Sequence, residues 1–329
     1  MCFFRHKKRT SLLCTRLGPF YARPMKTFHD FDAWGDAVSG ATLRLACDAV
    51  ETGVWTLGLL DLGGVVLQMA SEGGGNLCYG ANTHAGPILF VPLTRVAEQV
   101  VNGESLDGDS LFAIPSGADF RICVRRRSHA WCSIALPIEG LHSSIASSAS
   151  RRIACPPGTV ARLTQIVRTI ARSLLMQPGM QPGVTAAHRA AGRSLVDAAV
   201  RCLSAPPQSG ATPIGRARLD RAGIVRRAMA AIDTAPTSPT TTALAGIVGV
   251  TDRTLLRTFH ETYGLPPKQY LMLRELHRIR RILRTGATDN ATVADVLALH
   301  GIWEFGRFAA RYRRQFGELP SDTLRHARA

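Results

Sequence analysis

The sequence predicts an α+β protein of two folding units. A β-rich N-terminal domain, a small barrel or jelly roll, carries a helical hairpin; an all-helical C-terminal domain follows. Three observations predict this. Six short apolar or alternating runs lie between Val54 and Pro137, separated by clusters of Gly, Asn, Asp and Ser. From about Pro157 the apolar residues recur at helical spacing. Between Thr241 and Arg325 a short helical stripe, a glycine and a second helical stripe occur twice, on either side of one long basic helix. A length of 329 residues is enough for two cores of ordinary size.

In chain order, residues 1–26 read as a disordered leader, with Met25 as an alternative start. The basic cluster HKKR imitates a signal peptide, but Arg16 interrupts the apolar part and no clear cleavage site follows. From Thr27, Phe28, Phe31, Trp34 and Val38 stand at the spacing of a short amphipathic helix. The runs VWTLGLLDL, GVVLQMA, PILFVPL, LFAIPSG, DFRICVR and WCSIALP then supply the strands of a β-rich domain over 27–142. Over 156–204, TVARLTQIVRTIARSLLM places Val160, Leu163, Ile166, Val167, Ile170 and Leu174 on one side. AAHRAAGRSLVDAAVRCLSA follows as the second helix of a hairpin. Residues 205–219, rich in Pro, Gly and Ser, form a flexible linker, and the last domain occupies 220–327.

In that last domain Ala243, Leu244 and Ile247 form the first stripe. Gly249 ends its helix, and Thr251 caps the next. Leu255 and Phe259 face inward, while Arg253 and Arg257 stand one turn apart on the other side. Pro266 opens the long helix KQYLMLRELHRIRRILR at a first-turn position. The second unit has Val293, Val296 and Leu297, then Gly301. A helix with Phe305, Phe308, Ala309, Tyr312 and Phe316 on its buried face completes it. Trp303, Glu304, Arg307, Arg311 and Arg314 lie off that face. A short helix, a tight turn and a second helix showing guanidinium groups outward is the layout for entering a DNA major groove. The charge agrees: 40 Lys and Arg against 24 Asp and Glu give +16, and from Arg216 onward the count is 19 against 10. Such a surplus favours a polyanionic partner.

These residues resemble the double helix–turn–helix domain of the AraC/XylS transcription regulators. The matching stretches are LAGIVGVTDRTLLRTF, YGLPPKQYL, RRIL and GIWEFGRFAARYRRQFGELPSDTL, within roughly the last 105 residues. The last of them resembles the subgroup of the ethanolamine operon activators. The resemblance implies a cupin-like sensor domain, for which GDSLFAIPSGADF is the best local signature, and a hairpin that dimerises. It implies double-stranded DNA, RNA polymerase and a small-molecule effector as partners of a cytoplasmic, homodimeric, effector-responsive activator. Two residues depart from the family pattern: Ile302 stands for Phe, and Glu275 for Arg in the connecting helix.

The labour divides by chemistry. Lys268, Arg280, Arg281 and helix N-termini are assigned to phosphates, which position the domain. Arg253, Thr254 and Arg257, with Thr251 as cap, are assigned to one major groove. Trp303, Glu304, Arg307 and Arg311 are assigned to the next. No catalytic residue, cofactor or metal is assigned. His84, His129 and His142 form no His–x–His pair and read as surface histidines in loops. Eight cysteines form no CxxC and read as buried free thiols of a reducing compartment. No apolar run reaches the ~18–20 residues of a membrane span. Two rival readings remain. A DNA-repair regulator would need a reactive thiolate cluster, which the isolated Cys155 and Cys202 do not offer; a nonspecific DNA binder would need charge alone.

Overall fold

A computed structural model describes residues 25–94, 98–137, 149–175, 185–203, 220–235, 237–285 and 291–328. Most of the leader, His142, the Gly/Pro break between the hairpin helices and the linker lie outside the described residues. Two antiparallel sheets face one another. The first runs in the order β1 (Lys26–Phe28), β3 (Trp55–Asp61), β4 (Val66–Glu72), β11 (His129–Ala135), β6 (Ile88–Pro92), β9 (Ser110–Ile114), β12 (Arg151–Ala154). The second runs β2 (Ala41–Val50), β5 (Gly74–Asn82), β10 (Asp119–Val124), β7 (Gln99–Val101), β8 (Glu104–Leu106). The sheets stack without closing into the barrel that the strand count suggests.

Each sheet is covered on both faces, and this explains the composition of its strands. Trp131 and Ser133 of β11 point between the sheets, while Cys132 and Ile134 point outward. Outside the seven-stranded sheet lie α2 (Thr159–Leu175) and α3 (Ala186–Leu203). Leu163, Val167, Ile170, Leu195 and Ala199 are buried on that sheet together with Met69, Val91 and Ile134. The apolar stripe of the hairpin is therefore used within its own chain; the side chain of Leu174 lies outside the described residues. A strand buried on both faces reads as a continuous apolar run, as PILFVPL does.

The five-stranded sheet shows its inner face through Leu43, Leu45, Cys78 and Phe120. Its outer face carries Ala46, Leu77, Tyr79 and Cys123, which join the core of the C-terminal helices. The layers are thus hairpin, sheet, sheet, helical domain.

Three sequence expectations change. The first helix, α1, spans Phe31–Ala37 because the Asp30 side chain caps it, accepting from Ala33 N–H at 2.8 Å. Thr27 and Phe28 belong instead to β1, which pairs with β3, and the side chain of Met25 is buried. β2 and β5 are also strands, the second concealed by its turn-like glycines and asparagines. Around Gly73 to Gly75 the glycines serve close backbone approach: a Cβ on Gly74 would stand 2.0 Å from Ala49 O, at the bulge where β2 shifts register. Ile247 and Phe305, expected on buried faces, are 64% and 39% exposed. The first stripe is Leu244, Ala245 and Val248 instead.

Candidate DNA-binding surface

The first helix–turn–helix is built from local rules. After α4 (Arg221–Thr234), α5 (Thr241–Val248) is capped by Thr240 and stopped by Gly249 at φ 74°. Thr251 caps α6 (Asp252–Tyr263), its hydroxyl accepting from Thr254 N–H at 3.2 Å. Leu255, Phe259 and Tyr263 are fully buried, which leaves Arg253 and Arg257 on the exposed face. Arg257 Nε donates to Glu261 at 2.9 Å, and Glu261 also pairs with Arg221. Thr254 is half-buried and hydrogen-bonds back to Thr251, so of that trio it is the least free.

The second unit repeats the plan. A capping box between Thr292 and Asp295 starts α8 (Val293–Leu299), and Gly301 turns the chain at φ 73°. In α9 (Phe305–Phe316) Phe308 and Tyr312 are buried, and the Tyr312 hydroxyl meets Thr323 at 2.8 Å at the start of α10 (Pro320–Arg328). Trp303 is 73% exposed, Arg307 and Arg311 are exposed, and Arg307 pairs with Glu304 at 2.7 Å. Ile302 is half-buried against the second unit's core, a place an apolar residue fits.

The two units are held apart by α7 (Pro267–Arg284), 18 residues and about 27 Å long at 1.5 Å per residue. Here the sequence assignment divides. Lys268 and Arg281 are exposed, but Arg280 is not. It lies 2.6 Å from Asp30, 3.3 Å from Asp32 and 3.3 Å from Glu318, with its guanidinium over the Phe316 ring. Arg284 meets Asp30 at 2.6 Å. In this arrangement Arg280 is taken up by the N-terminal domain and is not offered to phosphate. Glu275 is half-buried on the same helix; burial raises its carboxyl, although Arg311 and Arg278 pull the other way.

His277 is the residue that sequence reasoning missed. It is buried; Nδ1 lies 2.9 Å from Asp32 and Nε2 accepts from Cys47 N–H at 3.0 Å. Gln315 adds a bond to Cys47 O at 2.5 Å. The partners stand 245 positions apart, so no local pattern marks them. Burial would raise the Asp32 carboxyl, but the hydrogen bond from His277 and the charges of His277, Arg280 and Arg281 hold it below its usual value.

A carboxyl lowered by folding stabilises above its unfolded pKa, and that contribution disappears as pH falls through the folded value. The stability difference between wild type and Asp32→Asn should therefore be constant above about pH 5 and shrink below about pH 4. Calorimetric melts across that range check this; a difference that does not change with pH would remove Asp32 from the account.

A concavity lies between the sheets, of about 610 Å³ including its open mouth. Trp34, Phe90, Phe120 and Trp131 wall it, with Glu72, Asn76 and His129 at its polar side. Glu72 Oε1 accepts from Trp131 Nε1 at 2.7 Å and lies 3.4 Å from His129 Nε2. Thus His129 is a buried residue of β11, not a surface histidine. Burial lowers its pKa, but the Glu72 charge and hydrogen bond outweigh that and leave it raised. Cys155 and Cys202 are also close to one another in the same buried core, rather than isolated. Among the described residues the free cysteines are all buried.

Residues 244–326 match a helix-turn-helix domain family. The C-terminal part of the chain is therefore a helix–turn–helix domain, the class that its geometry defines. Over 85 residues the chain is 36% identical to the XylDLEGF operon transcriptional activator of Pseudomonas putida, 26% of each chain. Over 104 residues it is 32% identical to the probable thc operon regulatory protein of Rhodococcus erythropolis, 31% of each. A solved probable AraC family transcriptional regulator from Rhodopseudomonas palustris is 31% identical, covering 32% of this chain and 98% of that one, with a TM-score of 0.30. The chain spans about a quarter to a third of the length of these two curated relatives. The similarity to these regulators lies in the C-terminal part of the chain. No described helix is long and apolar enough to cross a membrane.

Proposed function

We propose that the chain is a sequence-specific DNA-binding transcription regulator, an effector-responsive activator that reads two successive major-groove segments. One observation carries this reading. Two complete helix–turn–helix units turn exposed, mostly cationic helix faces outward and are joined by a single uninterrupted helix. Arg253 and Arg257 serve one groove; Trp303, Arg307 and Arg311 serve the next, with Trp303 suited to a thymine methyl. Lys268 and Arg281 anchor phosphates. A cytoplasmic homodimer that recruits RNA polymerase, close to the ethanolamine operon activators, belongs to the same reading.

Response to an effector has a route in the fold. Trp34 walls the cavity between the sheets, and its helix α1, with its cap Asp30, holds α7 through Asp30 and Asp32. A ligand that moves α1 changes the hold on the helix that spaces the two reading heads. Differential contact with two such arrangements is what an effector requires.

Selection of bound fragments from genomic DNA, followed by titration against a site library, tests the reading. Arg307→Ala should relax a block of bases about 34 Å, one helical turn, from the block relaxed by changes in α6. If both relax the same positions, the two-groove geometry is wrong. Equal binding to selected and random DNA would favour the nonspecific binder.

A further inference from the structure

The cavity between the sheets has a chemistry of its own. Glu72 and Asn76 line it and are 3% and 7% exposed. Glu72 Oε1 is used by Trp131, while Glu72 Oε2 and Asn76 Oδ1 have no hydrogen-bond partner. Buried polar atoms are nearly always paired, so two unpaired acceptors on one cavity wall mark a place where donors are missing. A carboxylate can only accept, whereas the Asn76 amide can turn either end to a ligand. Among the described residues that line the cavity there is no Lys or Arg. Gln68, hydrogen-bonded to Ser39 and Ser133, and His129, paired with Glu72, also line it; the rest of the wall, Cys78 apart, is aromatic and aliphatic.

We propose that this cavity takes a small aromatic or apolar molecule headed by a hydrogen-bond donor, an amine or a hydroxyl, and rejects carboxylates. The inference rests on the effector-responsive reading above and gives its ligand a chemical class. The head group meets Glu72 Oε2 and the Asn76 amide. The body lies among Trp34, Phe90, Phe120 and Trp131. A carboxylate in the same place would bring a second acceptor, and a second negative charge, against Glu72, with no Lys or Arg in the lining to receive it and His129 already paired with Glu72.

Three probes of one shape and different heads test this on the full chain: benzylamine, benzyl alcohol and benzoate, measured by titration calorimetry and thermal shift. Benzylamine or benzyl alcohol should bind at least tenfold more tightly than benzoate, and the better of the two identifies the head. Glu72→Gln, which places a donor where Oε2 accepts, should lower the affinity for that probe at least tenfold. Glu72 also holds Trp131 and His129, so Asn76→Leu is the second variant; it leaves those bonds in place and should lower the affinity several-fold. Benzoate binding as tightly as the other two overturns the proposal. So does the failure of both donor probes to bind, or an unchanged affinity in folded Asn76→Leu protein. Site-selective DNA binding is measured on the same preparation. Its presence with no probe binding removes only this inference, and its absence removes the regulator reading.

Discussion

Arg257→Ala is expected to lower affinity for the selected DNA site by roughly 5- to 150-fold and to leave random DNA nearly untouched. Arg257 stands on the exposed face of α6, opposite Leu255, Phe259 and Tyr263, which are fixed in the core. Its one ion pair, to Glu261, joins exposed side chains. Such i,i+4 pairs contribute only about 0.3–0.5 kcal/mol, whereas a bidentate contact to guanine is worth about 1–3 kcal/mol. Arg257 can therefore leave Glu261 for a base at small cost. The measurement is a titration against a site library. A parallel fall on specific and random DNA would make Arg257 a phosphate anchor. An unaltered preference at every position in a folded protein would remove it from recognition.

Asp32→Ala should loosen the contact between the N-terminal domain and α7. The substitution leaves His277 Nδ1 without its acceptor and removes one of the carboxylates around Arg280. Removing one member of a buried charged cluster typically costs about 3–5 kcal/mol, because its partners stay buried and uncompensated. The lost stability is read by denaturant unfolding and by faster proteolysis. Salt dependence reads the functional side. In wild type, Arg281→Ala should flatten the slope of log K against log salt by about 1, and Arg280→Ala should leave it unchanged. In an Asp30→Ala, Asp32→Ala background Arg280 is released from the N-terminal domain and keeps only Glu318 and the Phe316 ring, and Arg280→Ala should then also flatten the slope, by up to about 1. An Arg280→Ala effect already present in wild type would mean that the domains separate on DNA without help.

The second prediction could not have come from the sequence, and the first could. Gly249, Thr251 and Gly301 act within one turn of where they stand, through a positive φ or a single capping bond. Arg253 and Arg257 share a face because the α-helical period puts them there. Such rules need no knowledge of the rest of the chain, so the two helix–turn–helix units and their exposed faces were legible from residues 241–325 alone. The hairpin helices were legible for the same reason.

What covers what is a different kind of question. Arg280 and Arg281 are neighbours in a basic run, and helical geometry turns them some 100° apart. Only the approach of Asp30 and Asp32 decides which of the two is taken from solvent. His129 reads as a loop histidine until β4 and β11 pair and bring Glu72 beside it. The glycines at 73–75 read as a turn until β2 bulges against them. The amino-acid sequence by itself determined the local elements and the exposed cationic helix faces, because backbone dihedrals and helical period act over a few residues. The tertiary structure alone decided the cavity, the clasp on α7 and the fate of Arg280, because burial and charge pairing join residues that stand up to 245 or more positions apart.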